Sequence, residues 1–176
     1  WIVKEDRQMS EKKRWICLYV ENEIGVLARI SGLFSGKSYN LNSLTVGETE
    51  DTTVSRMTIS FTSDDRTFEQ VKKQLNRSVE VIKVVDYTDI PIHNKEILFI
   101  KVKECNTDDK DEVFRIANAF NFKITDYDRK NILVECLQTE NQNNDAIKLF
   151  KQSFPNRIEV VRGGSVAVEA ISMSER

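Results

Sequence analysis

The sequence predicts an α+β fold built from two tandem β-α-β-β-α-β units, and three observations carry that expectation. Apolar residues alternate with a period of two in some segments and recur near 3.6 in others, in the same order twice. A polar stretch holding Pro91 separates the two runs. The 176 residues suffice for two small domains, each with a core of its own.

In the first run, Ile16, Leu18 and Val20 alternate with Trp15, Cys17 and Tyr19 over Trp15–Glu21, as a strand requires. From Val26 to about Lys37, Leu27, Ile30, Leu33 and Phe34 fall on one helical face. Leu41–Gly47 is the next strand, Glu48–Thr53 a polar hairpin tip, and Ser55–Thr62 the returning strand with Met57, Ile59 and Phe61 alternating. Thr67-Phe68-Glu69-Gln70 has capping-box spacing, and Phe68, Val71 and Leu75 mark the helix it opens. The β-branched segment Val79–Tyr87 closes the unit.

Thr88–Asn94 reads as a linker, because Pro91 argues against continued pairing. The order then restarts. Leu98, Ile100 and Val102 alternate in a strand, and Val113, Ile116, Ala117 and Phe120 form a helical stripe. Phe122–Asp126 and Ile132–Leu137 are strands; Ile147, Phe150 and Phe154 mark another helix. Ile158–Arg162 is a strand, Gly163-Gly164 a turn, and Val166–Ile171 a last strand. Both runs follow the ferredoxin-like pattern. The domain reading is an N-terminal extension over 1–14, a first domain over 15–88, a linker over 89–95 and a second domain over 96–176. Met9-Ser10-Glu11-Lys12 reads like a natural start, so residues 1–8 are taken as a remnant and left out of the fold argument. Helices on one face of each sheet leave the other face, with Trp15, Cys17 and Tyr19 in the first unit, needing a partner such as a second copy.

Composition narrows the function classes. Hydrophobic residues make up 40% and charged residues 31%, a globular profile with no apolar run long enough to cross a bilayer. Net charge is −2 with acids and bases interspersed, so the basic surplus that nucleic-acid binding draws on is missing. Cys17, Cys105 and Cys136 are far apart and read as buried reduced thiols, with a cytoplasmic location as the default. His93, the one histidine, falls in the linker, so no Ser–His or Cys–His dyad can be built in a core. Asp64-Asp65, Asp108-Asp109 and Asp111-Glu112 stand near helix starts, where they meet the helix dipole rather than a metal. Gly32 and Gly36 lie late in a helix, so no dinucleotide or phosphate-loop fingerprint is spelled. The stacking aromatics of an RNA-recognition motif, which shares this topology, are absent from Ser55–Phe61.

The feature that stands out is a junction. Glu21-Asn22-Glu23-Ile24-Gly25-Val26-Leu27 joins a strand to a helix through a short polar turn with a glycine. Such a junction leaves several N–H groups unpaired in the first helical turn, a receptor for a carboxylate or phosphate. With neither a catalytic pair nor a metal cluster beside it, the junction suggests binding rather than catalysis.

Val20–Phe34, Tyr39–Gly47 and Ser55–Ile59 together resemble the regulatory small subunits of acetolactate synthase, also called acetohydroxyacid synthase. Weaker matches at Glu96–Val102 and Val160–Gly164 extend the resemblance over most of the chain. The resemblance implies an ACT domain followed by a second ferredoxin-like domain, in a homodimer that binds and activates a separate large catalytic subunit. That subunit would carry thiamine diphosphate, a divalent metal such as magnesium, and FAD, with no cofactor on this chain. Valine, or another branched-chain amino acid, would bind between the ACT domains of two chains and give feedback inhibition. By motif, Asn22, Gly25, Val26 and Leu27 would line one side of the pocket and Asn40 and Leu41 of the second copy the other. Ile24 stands where proline or serine is common, and Ser38 where glycine usually precedes the Tyr-Asn pair.

The residue chemistry is compatible with that implication. Backbone donors around Gly25–Leu27 suit a carboxylate, amides of Asn22 and Asn40 offer donors and acceptors, and Leu27 and Leu41 could bound an aliphatic group. From spacing alone, Asn22 and Asn40 read equally well as turn residues. A stand-alone amino-acid-sensing homodimer controlling another enzyme is the alternative function.

Overall fold

The computed structural model describes residues 10–35 and 41–172. The first run forms β1 (Lys12–Glu21), α1 (Val26–Ser35), β2 (Leu41–Glu48), β3 (Val54–Ser63), α2 (Asp65–Arg77) and β4 (Val81–Asp86). The second forms β5 (Ile92–Val102), α3 (Thr107–Phe120), β6 (Lys123–Tyr127), β7 (Ile132–Gln138), α4 (Glu140–Ser153) and β8 (Ile158–Glu169). The sheet orders are β2-β3-β1-β4 and β6-β7-β5-β8, so both runs place first and third strands at the centre. This is the ferredoxin-like α+β architecture expected from the sequence. Among the described residues the chain separates into two compact units, one ending at Ile92 and taking in the segment from Glu169, the other His93–Val168. Among the described residues no helix is long and apolar enough to cross a membrane.

In the first unit, β1 pairs antiparallel with β3 along its whole length, from Lys12 opposite Ser63 to Glu21 opposite Val54. Alternation then puts Ile16, Leu18, Val20, Met57, Ile59 and Phe61 on one face, all buried. Val26, Ile30 and Phe34 of α1 and Phe68, Val71 and Leu75 of α2 close the core over them. Each such side chain, taken out of water, contributes about 1.5–3 kcal/mol before chain entropy is set against it. Leu27, read as part of the buried stripe, instead lies outside it and is half exposed. The opposite face is less apolar than expected. Thr58 and Ser60 are buried there beside Cys17, and Arg56 donates from Nε to Cys17 Sγ (2.9 Å) and from Nη2 to the Tyr87 hydroxyl (3.2 Å).

In the second unit Leu98, Ile100, Val102, Ile132, Val134 and Cys136 face Val113, Ile116, Ala146 and Phe150. Phe120, expected on that stripe, is largely exposed and stacks on Phe122 instead (5.8 Å between centroids). All three cysteines are free and buried, as read from the sequence. Burial pushes the Cys136 thiol up to about 12.

Three local expectations change. The α2 cap is Asp64, not Thr67: its carboxylate accepts the N–H of Thr67 (2.7 Å), so the helix starts a turn earlier. True capping boxes occur at Asn106 with Asp109 and at Thr139 with Gln142. Second, β5 begins at Ile92, so His93, Asn94 and Lys95 are strand residues, with His93 exposed. Pro91 permits this because it stands just before the strand, where its missing N–H breaks no ladder bond and its carbonyl still accepts from Ala170 N (2.9 Å). Third, Gly163-Gly164 is not a turn, since β8 runs through it unbroken. Gly164 has φ of +80°, and a Cβ at Gly163 would lie 2.6 Å from Ile97 Cγ2. These glycines let β8 pass close to β5 without leaving the sheet.

Gly163→Ala is expected to destabilise the chain by about 1–3 kcal/mol, because the β-branched Ile97 cannot swing clear. Urea unfolding of the two forms measures it; equal midpoints would show that the contact relaxes freely.

Acid sensitivity follows from Asp109. Arg157 donates to both its oxygens (2.7 and 3.1 Å), and with the N–H of Asn106 this holds the carboxyl below the usual carboxylate range. A depressed folded value gives stability that is present above the unfolded value near ~3.9 and lost as pH falls through the folded one. The melting temperature should therefore be flat near neutrality and fall below pH ~4, with Asp109→Asn flattening part of that fall. An unchanged acid limb in Asp109→Asn would remove this pair from the explanation.

Candidate functional site

The junction is positioned by the sheet. The last residue of β1, Glu21, donates its N–H to Glu80 O (2.9 Å), and Asn22 N donates to Thr53 O (2.8 Å), so the chain leaves β1 under firm control. Glu23 and Ile24 make the turn, with Val26 N reaching Glu23 O at 3.3 Å. Gly25 follows at φ of +85°, a conformation that side-chain-bearing residues adopt only at a cost. The first helical bond runs from Arg29 N to Gly25 O (3.1 Å), which makes Gly25 the N-cap position.

Glycine has no side chain to cap with. Asp64, Asn106 and Thr139 cap the other three helices with side-chain oxygens. At α1 the N–H groups of Leu27 and Ala28 find no acceptor among the described residues. The positive end of the helix dipole is therefore open to an anion. Arg29 adds positive charge: its Nη1 lies 3.3 Å from where a Gly25 Cβ would be, and its Nε pairs with Glu80 at 2.6 Å.

Beside this helix start is a cleft of about 190 Å³. Its floor is apolar and buried, made by Val20, Val26 and Met57, while Leu27 and Val46 stand at its mouth, each about half exposed (45% and 48%). Glu21, Asn22, Glu23 and Ser55 form the polar end. The β2–β3 register assembles it, setting Val46 opposite Met57 and Glu48 opposite Ser55.

Asn22 is not a free arm in this cleft. Its Nδ2 donates to Glu48 Oε1 (3.0 Å) and to Thr52 O (2.9 Å), and its Oδ1 accepts from Ser55 Oγ (3.0 Å). The side chain ties the end of β1 to the β2–β3 hairpin, which is the turn-residue role that spacing alone left open. Val26 and Leu27 line the cleft beside Asn22, with Gly25 next to them at the helix start. Leu41 does not: it lies at the other end of β2, opposite Phe61, packed against the core. Asn40 and Ser38 lie outside the described residues. Val46, Ser55, Met57, Glu48 and Arg29 were not singled out from the sequence; the alternation of the two hairpin strands was the available signal, but it needed their register.

Larger hollows exist without this convergence. A groove of about 580 Å³ on the second unit is lined by Lys101, Lys103, Asp126 and Asp128. There Lys103 is paired with Glu159 (2.9 Å), and Asp128 accepts the N–H groups of Lys130 and Asn131 in its own turn. Among the described residues no group of three or more His, Cys, Asp or Glu is placed to hold a metal.

Known proteins place this arrangement in context. Residues 16–83 match a family model described as the AHAS small subunit-like ACT domain, and residues 95–171 match the small subunit of acetolactate synthase. An acetolactate synthase small subunit from Aquifex aeolicus is 41% identical over 94% of this chain and 85% of its own length. That from Haemophilus influenzae is 35% identical over 89% of this chain and 94% of its own. The crystal structure of the small subunit from Thermotoga maritima superposes with a TM-score of 0.81 at 31% identity, over 91% of this chain and 98% of that one.

Two glycines of this region should respond oppositely to alanine. At Gly25 the positive φ makes Gly25→Ala cost about 1–2 kcal/mol of stability. At Gly32, inside α1 with nothing within 4 Å of a new Cβ, Gly32→Ala should gain up to about 1 kcal/mol. Chemical denaturation of both variants tests this, and a stabilising Gly25→Ala would contradict the strained cap.

Proposed function

This chain belongs to the acetolactate synthase small-subunit family, and from that premise we propose that it is a regulatory subunit that binds and activates a separate catalytic subunit and makes it sensitive to valine or another branched-chain amino acid. The observation that carries this reading is the uncapped start of α1 beside a small cleft with an apolar floor. An aliphatic amino acid presents a carboxylate and a branched side chain a few ångströms apart. The carboxylate suits the N–H groups of Leu27 and Ala28, with the Arg29 guanidinium near. The side chain suits the floor of Val20, Val26 and Met57, closed at the mouth by Leu27 and Val46. In this reading residues 15–88 are the effector-sensing ACT domain and 96–176 the second domain, joined by 89–95.

The half-exposed mouth is open on this chain alone, which supports a homodimer in which a second copy closes it. A two-fold axis makes two equivalent pockets from one self-complementary patch. In that arrangement Asn40 and Leu41 of the second copy complete the pocket. Thiamine diphosphate, a divalent metal and FAD belong to the catalytic subunit in this scheme. This chain contributes a coupling free energy between effector binding and turnover, of the usual ~1–3 kcal/mol.

The test is reconstitution with the catalytic subunit, following acetolactate formation with and without each branched-chain amino acid. The expected result is no turnover by this chain alone, activation on mixing, and inhibition by at least one effector. Gly25→Asp, which sets a fixed carboxylate at the helix start, should weaken the effector's inhibition tenfold or more while activation survives; a tenfold loss corresponds to about 1.4 kcal/mol. Full effector sensitivity in a folded Gly25→Asp variant would move the pocket elsewhere, and joint loss of activation would assign the glycine to the fold or the docking surface.

A further inference from the structure

We propose that Val46 selects the effector by the size of its side chain, forming with Leu27 the two walls of an aliphatic slot that admits a short branched chain and shuts out an aromatic one. The proposal rests on the reading of the cleft as an amino-acid site, and it gives a role to a residue that the family motifs did not mark.

β2 is an edge strand of its sheet, and its inward face carries Leu44 and then Val46, opposite the fully buried Ile59 and Met57 of β3. The two share a face but not an environment. Leu44 packs against the core, whereas Val46 is half exposed and lines the cleft. The same contrast runs along α1, where Val26 and Ile30 are buried and Leu27 is half exposed at the same opening. Two aliphatic side chains from different elements thus stand in water over a dry floor. An aliphatic group lodged between them removes apolar surface from water on both sides.

The slot has a defined width because its apolar lining is stiff. Val20, Val26 and Val46 are β-branched and held to few rotamers, and Met57, the flexible member of the floor, is fully buried. The volume of about 190 Å³ is little more than the ~150 Å³ that encloses one benzene ring, and the effector's own carboxylate and ammonium must share it. An isopropyl or isobutyl group meets that limit; a phenyl ring with its amino-acid backbone exceeds it. Of the two walls, Leu27 also supplies an N–H to the open start of α1. Val46 presents only its side chain, since its backbone lies in the ladder with β3. Val46 is therefore the wall that can be resized without touching the anion end.

Titration calorimetry on the full chain with valine, leucine, isoleucine and phenylalanine tests this. The parent should bind an aliphatic amino acid and leave phenylalanine unbound. One methylene in an apolar pocket changes affinity by about 10–200-fold, so Val46→Ala, which widens the slot, should raise the ratio of leucine to valine affinity about tenfold. Val46→Ile, which narrows it, should lower that ratio. Val168→Ala removes the same atoms from a similarly exposed strand valine of the second unit and should leave the ratio within about twofold of the parent. Sedimentation velocity separates selection from a contact with a second copy: a Val46→Ala chain that self-associates less and loses every effector by one factor would overturn the assignment. An unchanged leucine-to-valine ratio in both Val46 variants, an equal shift in Val168→Ala, or phenylalanine bound as tightly as valine would overturn it too, while leaving the amino-acid reading of the cleft intact. A parent that binds none of the four would overturn that reading, and this assignment with it. Circular dichroism on each variant establishes that the comparison is between folded chains.

Discussion

The rest of the first unit depends on the ten-residue antiparallel ladder between β1 and β3. β1 is central, with β4 on its other side, so its pairing partners settle both its register and the point at which it leaves the sheet. That point is Glu21, whose N–H is held by Glu80 on the β4 side, while Asn22 is held by Thr53 on the β3 side. A one-residue slip would reverse every side chain of β1, exchanging Ile16, Leu18 and Val20 for Trp15, Cys17 and Tyr19 in the core. It would also displace Gly25, and with it the open start of α1, from the cleft. Core packing and site geometry are therefore one constraint.

The two units reach the same topology with different polar fasteners. In the first, the buried Arg14 donates to Ser63 O (3.2 Å), pairs with Asp65 (2.6 Å) and lies over the Phe68 ring, joining β1 to the start of α2. In the second, the buried Glu96 accepts from Arg162 (2.8 Å) and from Asn143 (3.1 Å), while Asn144 accepts from Arg162 (2.7 Å), tying β5, β8 and α4 together. Buried charges of this kind are costly to desolvate and add little net stability, but removing one partner is severe. Their effect is to exclude other registers and helix placements. Beside the cleft, Ser55–Asn22–Glu48 ties the end of β1 to the β2–β3 hairpin in the same way, there at the surface.

A sensor assembled at a strand–helix junction has a physical advantage. Its donors are backbone groups, placed by the sheet with no side-chain entropy to lose, and its floor is the edge of the core itself. Ligand contacts at such a place bear on how α1 meets the sheet and on how β2 sits beside it. Those are the elements through which a change at the cleft could reach a neighbouring subunit.

Much of this was legible in the sequence, because it depends on local pattern. Alternation over Trp15–Glu21 and Ser55–Thr62, and the helical spacing of Phe68, Val71 and Leu75, are decided by which faces of a segment must be dry. The glycine at 25 announced an uncapped helix start, and Asn22, Val26 and Leu27 were found next to it. Tertiary structure alone decided what lies opposite. Val46, Met57 and Ser55 reach the cleft through the β2–β3 register, including an irregularity between Leu41 and Ser43, which no period within either strand encodes. The bracing role of Asn22 has the same origin, because its partners come from residues 26–33 positions away. Likewise Gly163 and Gly164 have the composition of a turn but lie within β8, where Ile97 stands against Gly163. Periodicity reports a residue's side of its own element; which group it meets is set by pairing between distant segments, and that pairing exists only in the folded chain.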